Sequence, residues 1–242
     1  MQIPVFITNR NRFTSLKQLV SWLWNHYTGP ITIIDNDSTY PPLLEYYKEL
    51  STTSVAKVYY TGKNCGPHIF WNRQAINGGR PHLLDKNRLD EIKGEGLNWH
   101  LKQSTPYLYT DSDCVPSKDC PNDLIPHMLE LLEKFPNCKK VGAGLRIDNI
   151  PDCFHNKQKV IKAECIYYAH RLPGYARSPV DTTLALYPPY GEFSCNWDNI
   201  RTLSPYLIEH AGWYTDSENL SEEEKYYREH VWSWWKDCSY SL

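Results

Sequence analysis

Two aspartates one residue apart, Asp111 and Asp113, flank Ser112 at the end of the apolar run Tyr107-Leu108-Tyr109-Thr110. Carboxylate oxygens on a tight turn suit a hard divalent cation such as Mn2+ or Mg2+, the ions that accompany diphosphates. A strand running into that turn would place both acids at its C-terminal end, where open α/β sheets bind their ligands. Without a cation the two carboxylates repel each other, which makes a purely structural role for the pair unattractive. A second such spacing, Asp35-Asn36-Asp37, follows the run Ile31 to Ile34. An acid there accepts hydrogen bonds from ribose hydroxyls, or closes an Asx turn ahead of Pro41-Pro42.

Further polar groups follow other apolar runs. Thr8, Asn9 and Arg10 come directly after Ile3 to Ile7. Amide and guanidinium groups at that edge can bind a base or a phosphate; the alternative is a turn with a solvated arginine. Asn64-Cys65-Gly66 lets backbone approach a ligand closely, as glycine permits, or forms a plain turn. Arg73, with Trp71 and Gln74 on one predicted helix, is more simply a solvated face than a phosphate ligand.

The elements that must position these groups alternate. Ile3 to Ile7, Ile31 to Ile34 and Val55 to Tyr60 read as strands. Phe13 to Tyr27 carries Leu16, Leu19, Val20 and Leu23 on one helical face, and Pro41-Pro42 opens a helix to about Leu50. A short helix is expected from His68 to Ile76. Gly78 to Ser104 breaks the rhythm as a polar, glycine-containing insertion or lid. Regular structure resumes with Tyr107 to Thr110, a helix from about Asn122 to Phe135 and a strand from Lys140 to Ile147. After Pro151 the pattern loosens, with a strand over Thr182 to Tyr187 and a terminal helix from Glu222 to Lys236. Strand–helix alternation predicts a parallel sheet.

Composition excludes more than it assigns. A net charge of −2 gives no electrostatic reason to expect nucleic acid as partner. No apolar stretch approaches the roughly 20 residues that span a bilayer, and Met1-Gln2 runs straight into a strand without a signal peptide. The eight cysteines lack a Cys-x-x-Cys pair and read as reduced thiols, so a cytoplasmic location is expected. Aromatic residues are abundant, with 18 Tyr and 9 Trp. They belong to a core or to surfaces that stack on sugars and bases.

Phe6-Ile7-Thr8-Asn9-Arg10, Ile33-Ile34-Asp35-Asn36, Asn64-Cys65-Gly66 and Tyr109-Thr110-Asp111-Ser112-Asp113 together resemble the nucleotide-sugar half of GT-A glycosyltransferases. Val141 to Asp148, Asp181 to Tyr187 and Ile208 to Tyr214 extend the likeness over about residues 2–216. It is nearest to compact enzymes of large algal viruses and of bacterial polysaccharide gene clusters, and a viral origin would place the protein in a host cytoplasm. The resemblance implies one GT-A domain over residues 1–242: a mostly parallel, Rossmann-like sheet flanked by helices, with a nucleotide-sugar half (about 1–115) and an irregular acceptor half (about 116–242).

It also implies roles. Thr8, Asn9, Arg10, Asp35, Asn36, Asn64, Gly66, Asp111, Ser112 and Asp113 would bind a UDP- or GDP-linked sugar. Asp113 would ligate Mn2+ or Mg2+ directly, Asp111 would reach ribose or a metal-bound water, and His210 would complete the coordination. Trp213 and Tyr214 would form a platform for a glycan or glycoprotein acceptor, or belong to the core. The base of an inverting transferase would be Asp181, which heads a family-like segment, then Asp148, ahead of Asp152 and Glu192; Asp148 alternatively orients donor hydroxyls. A retaining enzyme would need none of them.

Two competing functions carry different signatures. A sugar-1-phosphate nucleotidyltransferase would show a glycine-rich basic loop after its first strand, whereas Thr8 to Thr14 holds Arg10 and Arg12 without glycine. A non-catalytic carbohydrate-binding module would explain the aromatic surplus and leave the nucleotide-side motifs without a purpose.

Overall fold

The computed structural model describes residues 2–71 and 97–231. Strands and helices alternate at first: β1 (Val5–Asn9), α1 (Thr14–His26), β2 (Ile31–Asp35), α2 (Pro41–Ser51) and β3 (Lys57–Tyr60). Leu16, Leu19, Val20 and Leu23 bury one stripe of α1, and Pro41 opens α2 from the extended Tyr40, where a missing amide is harmless. Next come β4 (Tyr107–Asp111), β5 (Cys114–Pro116), α3 (Leu124–Lys134), β6 (Val141–Gly142), β7 (Gly144–Leu145) and α4 (Lys157–Tyr167). The hairpin β8 (Arg171–Leu172) and β9 (Tyr175–Arg177) leads to β10 (Ala185–Tyr187), β11 (Ile200–Thr202), β12 (Leu207–His210) and α5 (Glu222–His230).

Nine strands form one sheet in the order β3-β2-β1-β4-β10-β6-β11-β9-β8, and β5-β12-β7 form a second, smaller one. From β3 to β4 every pairing is parallel. Beyond β4 the sheet is mixed, because β10 runs antiparallel to both β4 and β6. Register aligns Asn9 with Asp35 and Thr8 with Asp111. The C-terminal ends of β1, β2 and β4 therefore come level, and their loops share one edge.

Side-chain alternation sorts the core into two chemistries. Ile7, Ile33, Leu108 and Leu186 join the aliphatic cluster that also takes in buried residues of α1, α2 and α3. Their strand neighbours Phe6, Ile34, Tyr107, Tyr109 and Tyr187 join an aromatic cluster with Phe70 and Trp71. Tyr107 and Tyr187 stack within 5° of parallel. Many of the rings counted in the sequence thus lie inside the molecule. Burial on both faces also explains why these strands read as nearly continuous apolar runs.

Several elements differ from expectation. The strand expected from Lys140 to Ile147 is two short strands that enter different sheets and break at Ala143. A Cβ at Gly142 would meet Val180, and one at Gly144 would meet the Thr202 carbonyl, so both glycines permit close backbone packing there. The strand expected from Thr182 begins only at Ala185. Helix α4 was hidden because it buries just Val160 and Glu164. It has no apolar stripe to betray it and docks through Glu164, which pairs with buried Arg201 at 2.7 Å. Pro67 to Phe70 forms a turn, residues 72–76 of the helix expected from His68 lie outside the described residues, and α5 ends at His230. Arg73, Gln74, residues 78–96 of the expected lid and residues 232–236 lie outside the described residues; Trp99–Lys102, within the lid, is a single 3-10 turn. No helix among the described residues is long and apolar enough to cross a membrane, and the seven described cysteines are free thiols.

Candidate functional site

The acidic turn is held from two sides. The Ser112 amide donates to the Thr8 carbonyl at 3.0 Å, which fixes the turn to β1. The Asp111 amide donates to the Thr182 carbonyl at 3.0 Å, and the Thr182 hydroxyl donates to Asp111 Oδ2. Asp113 lies between β4 and β5, and its carbonyl accepts from the Ala211 amide at 2.7 Å. That bond draws the end of β12 across the turn and leaves His210 Nε2 3.7 Å from Asp113 Oδ2. The imidazole stacks on Trp213, centroids 5.0 Å apart, and its Nδ1 has no hydrogen-bond partner among the described residues.

Burial pushes the Asp111 carboxyl well above the usual range; the Asp113 charge adds to this and the Thr182 hydroxyl opposes it. Two crowded carboxylates beside an imidazole form an incomplete O,O,N donor set, and among the described residues no three His, Cys, Asp or Glu side chains close into a metal cage. A divalent cation would relieve the Asp113 repulsion that adds to the effect of burial on Asp111, so the residues fit such an ion with its remaining ligands drawn from substrate and water. The Cys114 thiol is pushed up by its own burial and by both aspartates, so it is an inert filler.

The expected donor residues on β1 and β2 form one network. Asn9 Nδ2 donates to the Tyr47 hydroxyl at 2.8 Å, which donates to Asp35 Oδ1 at 2.9 Å. Asp35 Oδ2 accepts from the Ser38 amide at 3.1 Å. Both Asp35 oxygens are therefore engaged, in an Asx-type turn and with a buried phenol. Asn36 Nδ2 donates to the Gly66 carbonyl at 3.0 Å and Asn36 Oδ1 accepts from the Cys65 amide at 2.7 Å. Asn64 Oδ1 accepts from the Gly66 amide at 3.0 Å. Gly66 has φ +83°, a conformation that L side chains rarely adopt. Thr8 is buried with its Oγ1 accepting from the Tyr109 hydroxyl at 2.8 Å. Arg10 is partly buried, and its Nε lacks a partner among the described residues.

The remaining candidates separate. Asp181 is exposed and directly precedes Thr182, which brings it to the Asp111 side. Asp148 is held elsewhere. Its Oδ1 accepts from Arg146 Nε at 3.1 Å while Arg146 Nη1 reaches Asp119, and all three line a cavity of about 430 Å³ with Tyr168 and Ser204. Trp213 is only 7% exposed, so its ring belongs to the core and to His210 rather than to an open platform. Tyr214 points to Asn149 and the Arg146 carbonyl. The two aromatic neighbours do not share one surface.

Several participants escaped the sequence reading. Thr182 lay inside a segment singled out there, but its bond to Asp111 exists only through tertiary structure. Lys140 Nζ, fully buried, donates to the Asp181 carbonyl and the Tyr187 hydroxyl, each at 2.9 Å. Arg12 stacks on Tyr227 from the far end of the chain. No short-range signal marks any of the three.

Known proteins supply a likeness in fold alone. No family model matches the chain, and no curated protein matches it. A mannosyltransferase from Pyrobaculum calidifontis, solved in complex with GDP-Man and Mn2+, superposes at a TM-score of 0.51 with 12% identity. The match covers 94% of this chain and 59% of that one, so this chain spans about three-fifths of the mannosyltransferase's length. S. aureus TarS superposes more loosely, at a TM-score of 0.44 with 12% identity over 86% of this chain and 36% of that one. The mixed α/β domain with its large central sheet is the GT-A arrangement expected from the sequence.

Proposed function

We propose that this protein is a metal-dependent glycosyltransferase that moves a hexose or deoxyhexose from a UDP- or GDP-linked donor to a glycan or glycoprotein acceptor, with inversion at the anomeric carbon. The observation that carries this reading is the Asp111–Asp113 pair, set where parallel strands end with His210 across from Asp113. The fold shared with a mannosyltransferase solved with GDP-Man and Mn2+ supports it. Asp113, with Asp111 and His210, would hold Mn2+ or Mg2+, which when bound offsets the charge growing on the leaving nucleoside diphosphate.

The chain's own residues do the rest. Thr8, Asn9, Arg10, Asn36, Asn64 and Gly66 shape the nucleotide end, with Asp35 keeping Tyr47 and the turn to Ser38 in place. Ser112 anchors the acidic turn through its amide. Thr182 keeps Asp111 aimed, and exposed Asp181 beside it takes the proton from the acceptor hydroxyl as that oxygen attacks. Asp148, tied to Arg146, serves the acceptor half over about residues 116–242. Isothermal titration with UDP, GDP and CDP, with and without Mn2+, tests the reading. Metal-dependent binding of one nucleotide, lost in Asp113→Ala, is expected; no binding of any of them refutes it.

A further inference from the structure

Helix α5 begins 109 residues beyond Asp113 yet returns to the edge of the sheet where the acidic turn lies. Ser221 caps it by accepting from the Glu224 amide at 3.1 Å, and three glutamates fill its first turn, as the helix dipole favours. Two of those glutamates reach out of the helix. Glu223 accepts from the amides of Phe13 and Thr14 and from the Thr14 hydroxyl at 2.6 Å. It thereby caps α1, which has no side-chain cap of its own. Glu224, nearly buried, pairs with Arg12 and also accepts from Arg228 Nε at 2.8 Å. The Tyr226 hydroxyl donates to Thr39 Oγ1 at 3.0 Å, and its ring packs on Tyr40. Helix α5 thus grips the loops after β1 and β2, the same loops that carry Arg10 and Asn36.

This grip fixes one guanidinium. Arg12 lies flat on the Tyr227 ring with Cζ 3.4 Å from its centroid. Asp113 is among the charges that act on both Arg12 and Tyr227, and Tyr227 also acts on Arg10. Among the described residues, Nε of Arg10 and Nε of Arg12 are buried without a hydrogen-bond partner. Asp111 and Asp113 together cancel the charge of a divalent cation, so a diphosphate bound there still needs cationic partners from the protein. Planar guanidinium groups are the side chains best shaped to bind phosphate oxygens.

We propose that α5 is the outer wall of the diphosphate end of the site, and that Arg12, held against Tyr227 and anchored by Glu223 and Glu224, is a donor-binding residue for a phosphate of the nucleoside diphosphate. The proposal rests on the glycosyltransferase reading above and adds to it a residue and an element that no sequence motif marks.

The test is titration of wild type and Arg12→Lys with Mn2+ and UDP or GDP, and with uridine or guanosine alone. Lysine keeps a charge opposite Glu224 but loses the fork and the flat stack. Affinity for the diphosphate should fall about 10- to 100-fold while affinity for the free nucleoside is unchanged. Unchanged diphosphate affinity in Arg12→Lys overturns the proposal. Hydrogen exchange on wild type keeps the question open to refutation if that variant fails to fold: Mn2+ with the nucleotide should slow the amides of residues 222–230, and no slowing there overturns the proposal. Wild type that binds no nucleotide at all brings down the glycosyltransferase reading itself, whereas binding lost in Asp113→Ala but intact in Arg12→Lys removes only the role of α5.

Discussion

Lys140 offers the sharpest quantitative test. Its side chain is fully buried, and its ammonium faces the Asp181 carbonyl, the Tyr187 hydroxyl and the rings of Tyr187 and Phe193. Burial lowers its pKa from 10.5 to about 7, with Asp181, Cys195 and Asp111 pulling the other way and Arg201 adding to the depression. At about 1.36 kcal/mol per pH unit, the charged form costs about 5 kcal/mol of stability at low pH. The native state binds fewer protons than the unfolded chain between pH 7 and 10.5, so stability rises with pH through that window. From pH 6 to pH 9 the gain from this one group is about 2–3 kcal/mol. Lys140→Met removes that dependence together with two hydrogen bonds, whose loss costs about 1–3 kcal/mol each when partners stay buried. The two effects nearly offset at pH 6, and wild type should pull ahead of the variant by about 2–3 kcal/mol on going to pH 9. Urea unfolding of both proteins at the two pH values measures this directly. A stability difference that does not change with pH would refute the reasoning, because it would mean that Lys140 keeps its proton in the fold throughout.

Other predictions follow from neighbouring features. Asp111→Asn removes a carboxylate that burial and Asp113 hold above its usual pKa; the unliganded variant should melt higher at neutral pH, since a raised acid loses stability as it ionises, while metal-dependent nucleotide binding is abolished. Thr182→Val deletes the hydroxyl that aims Asp111 and should weaken the proposed Mn2+-dependent nucleotide binding about 10- to 150-fold in the same titration, matching the loss of one hydrogen bond to a charged group. Arg201→Met strands Glu164, its buried partner at 2.7 Å, and should cost about 3–5 kcal/mol, a fall of roughly 10 °C in Tm at this chain length. Adding Glu164→Leu should recover most of that loss, because two matched apolar groups replace the pair.

How far the chain could be read in advance depended on whether the determining contacts were local. Helix α1 was visible in its stripe from Leu16 to Leu23, α2 in its prolines, and β1, β2 and β4 in apolar runs buried on both faces. The turn that ends β4 was legible because three consecutive residues make it. Helix α4 was not, since an ion pair rather than an apolar face docks it. The break at Ala143 was not, since Gly142 and Gly144 answer to Val180 and Thr202, tens of residues away. Asp35 reads from the sequence as a ribose acceptor, and its bond to the Tyr47 hydroxyl, twelve residues on, is visible only in the fold. The contacts of α5 join positions 187 to 212 residues apart, and no local pattern encodes them.

The smaller sheet is a cantilever on the larger one. The chain steps from large to small three times, through residues 112–113 between β4 and β5, through Ala143 between β6 and β7, and through residues 203–206 between β11 and β12. Each joint is too short to flex freely, so the two sheets must tilt together. Asp111 ends a strand of the large sheet, while Asp113 and His210 travel with the small one. The gap between those side chains is therefore a readout of the pitch between two layers, and a cation placed among them would tie the layers as a brace ties a bracket to a wall. A side chain at Gly144 would press on the Thr202 carbonyl and on Leu207, and so on the angle of that bracket.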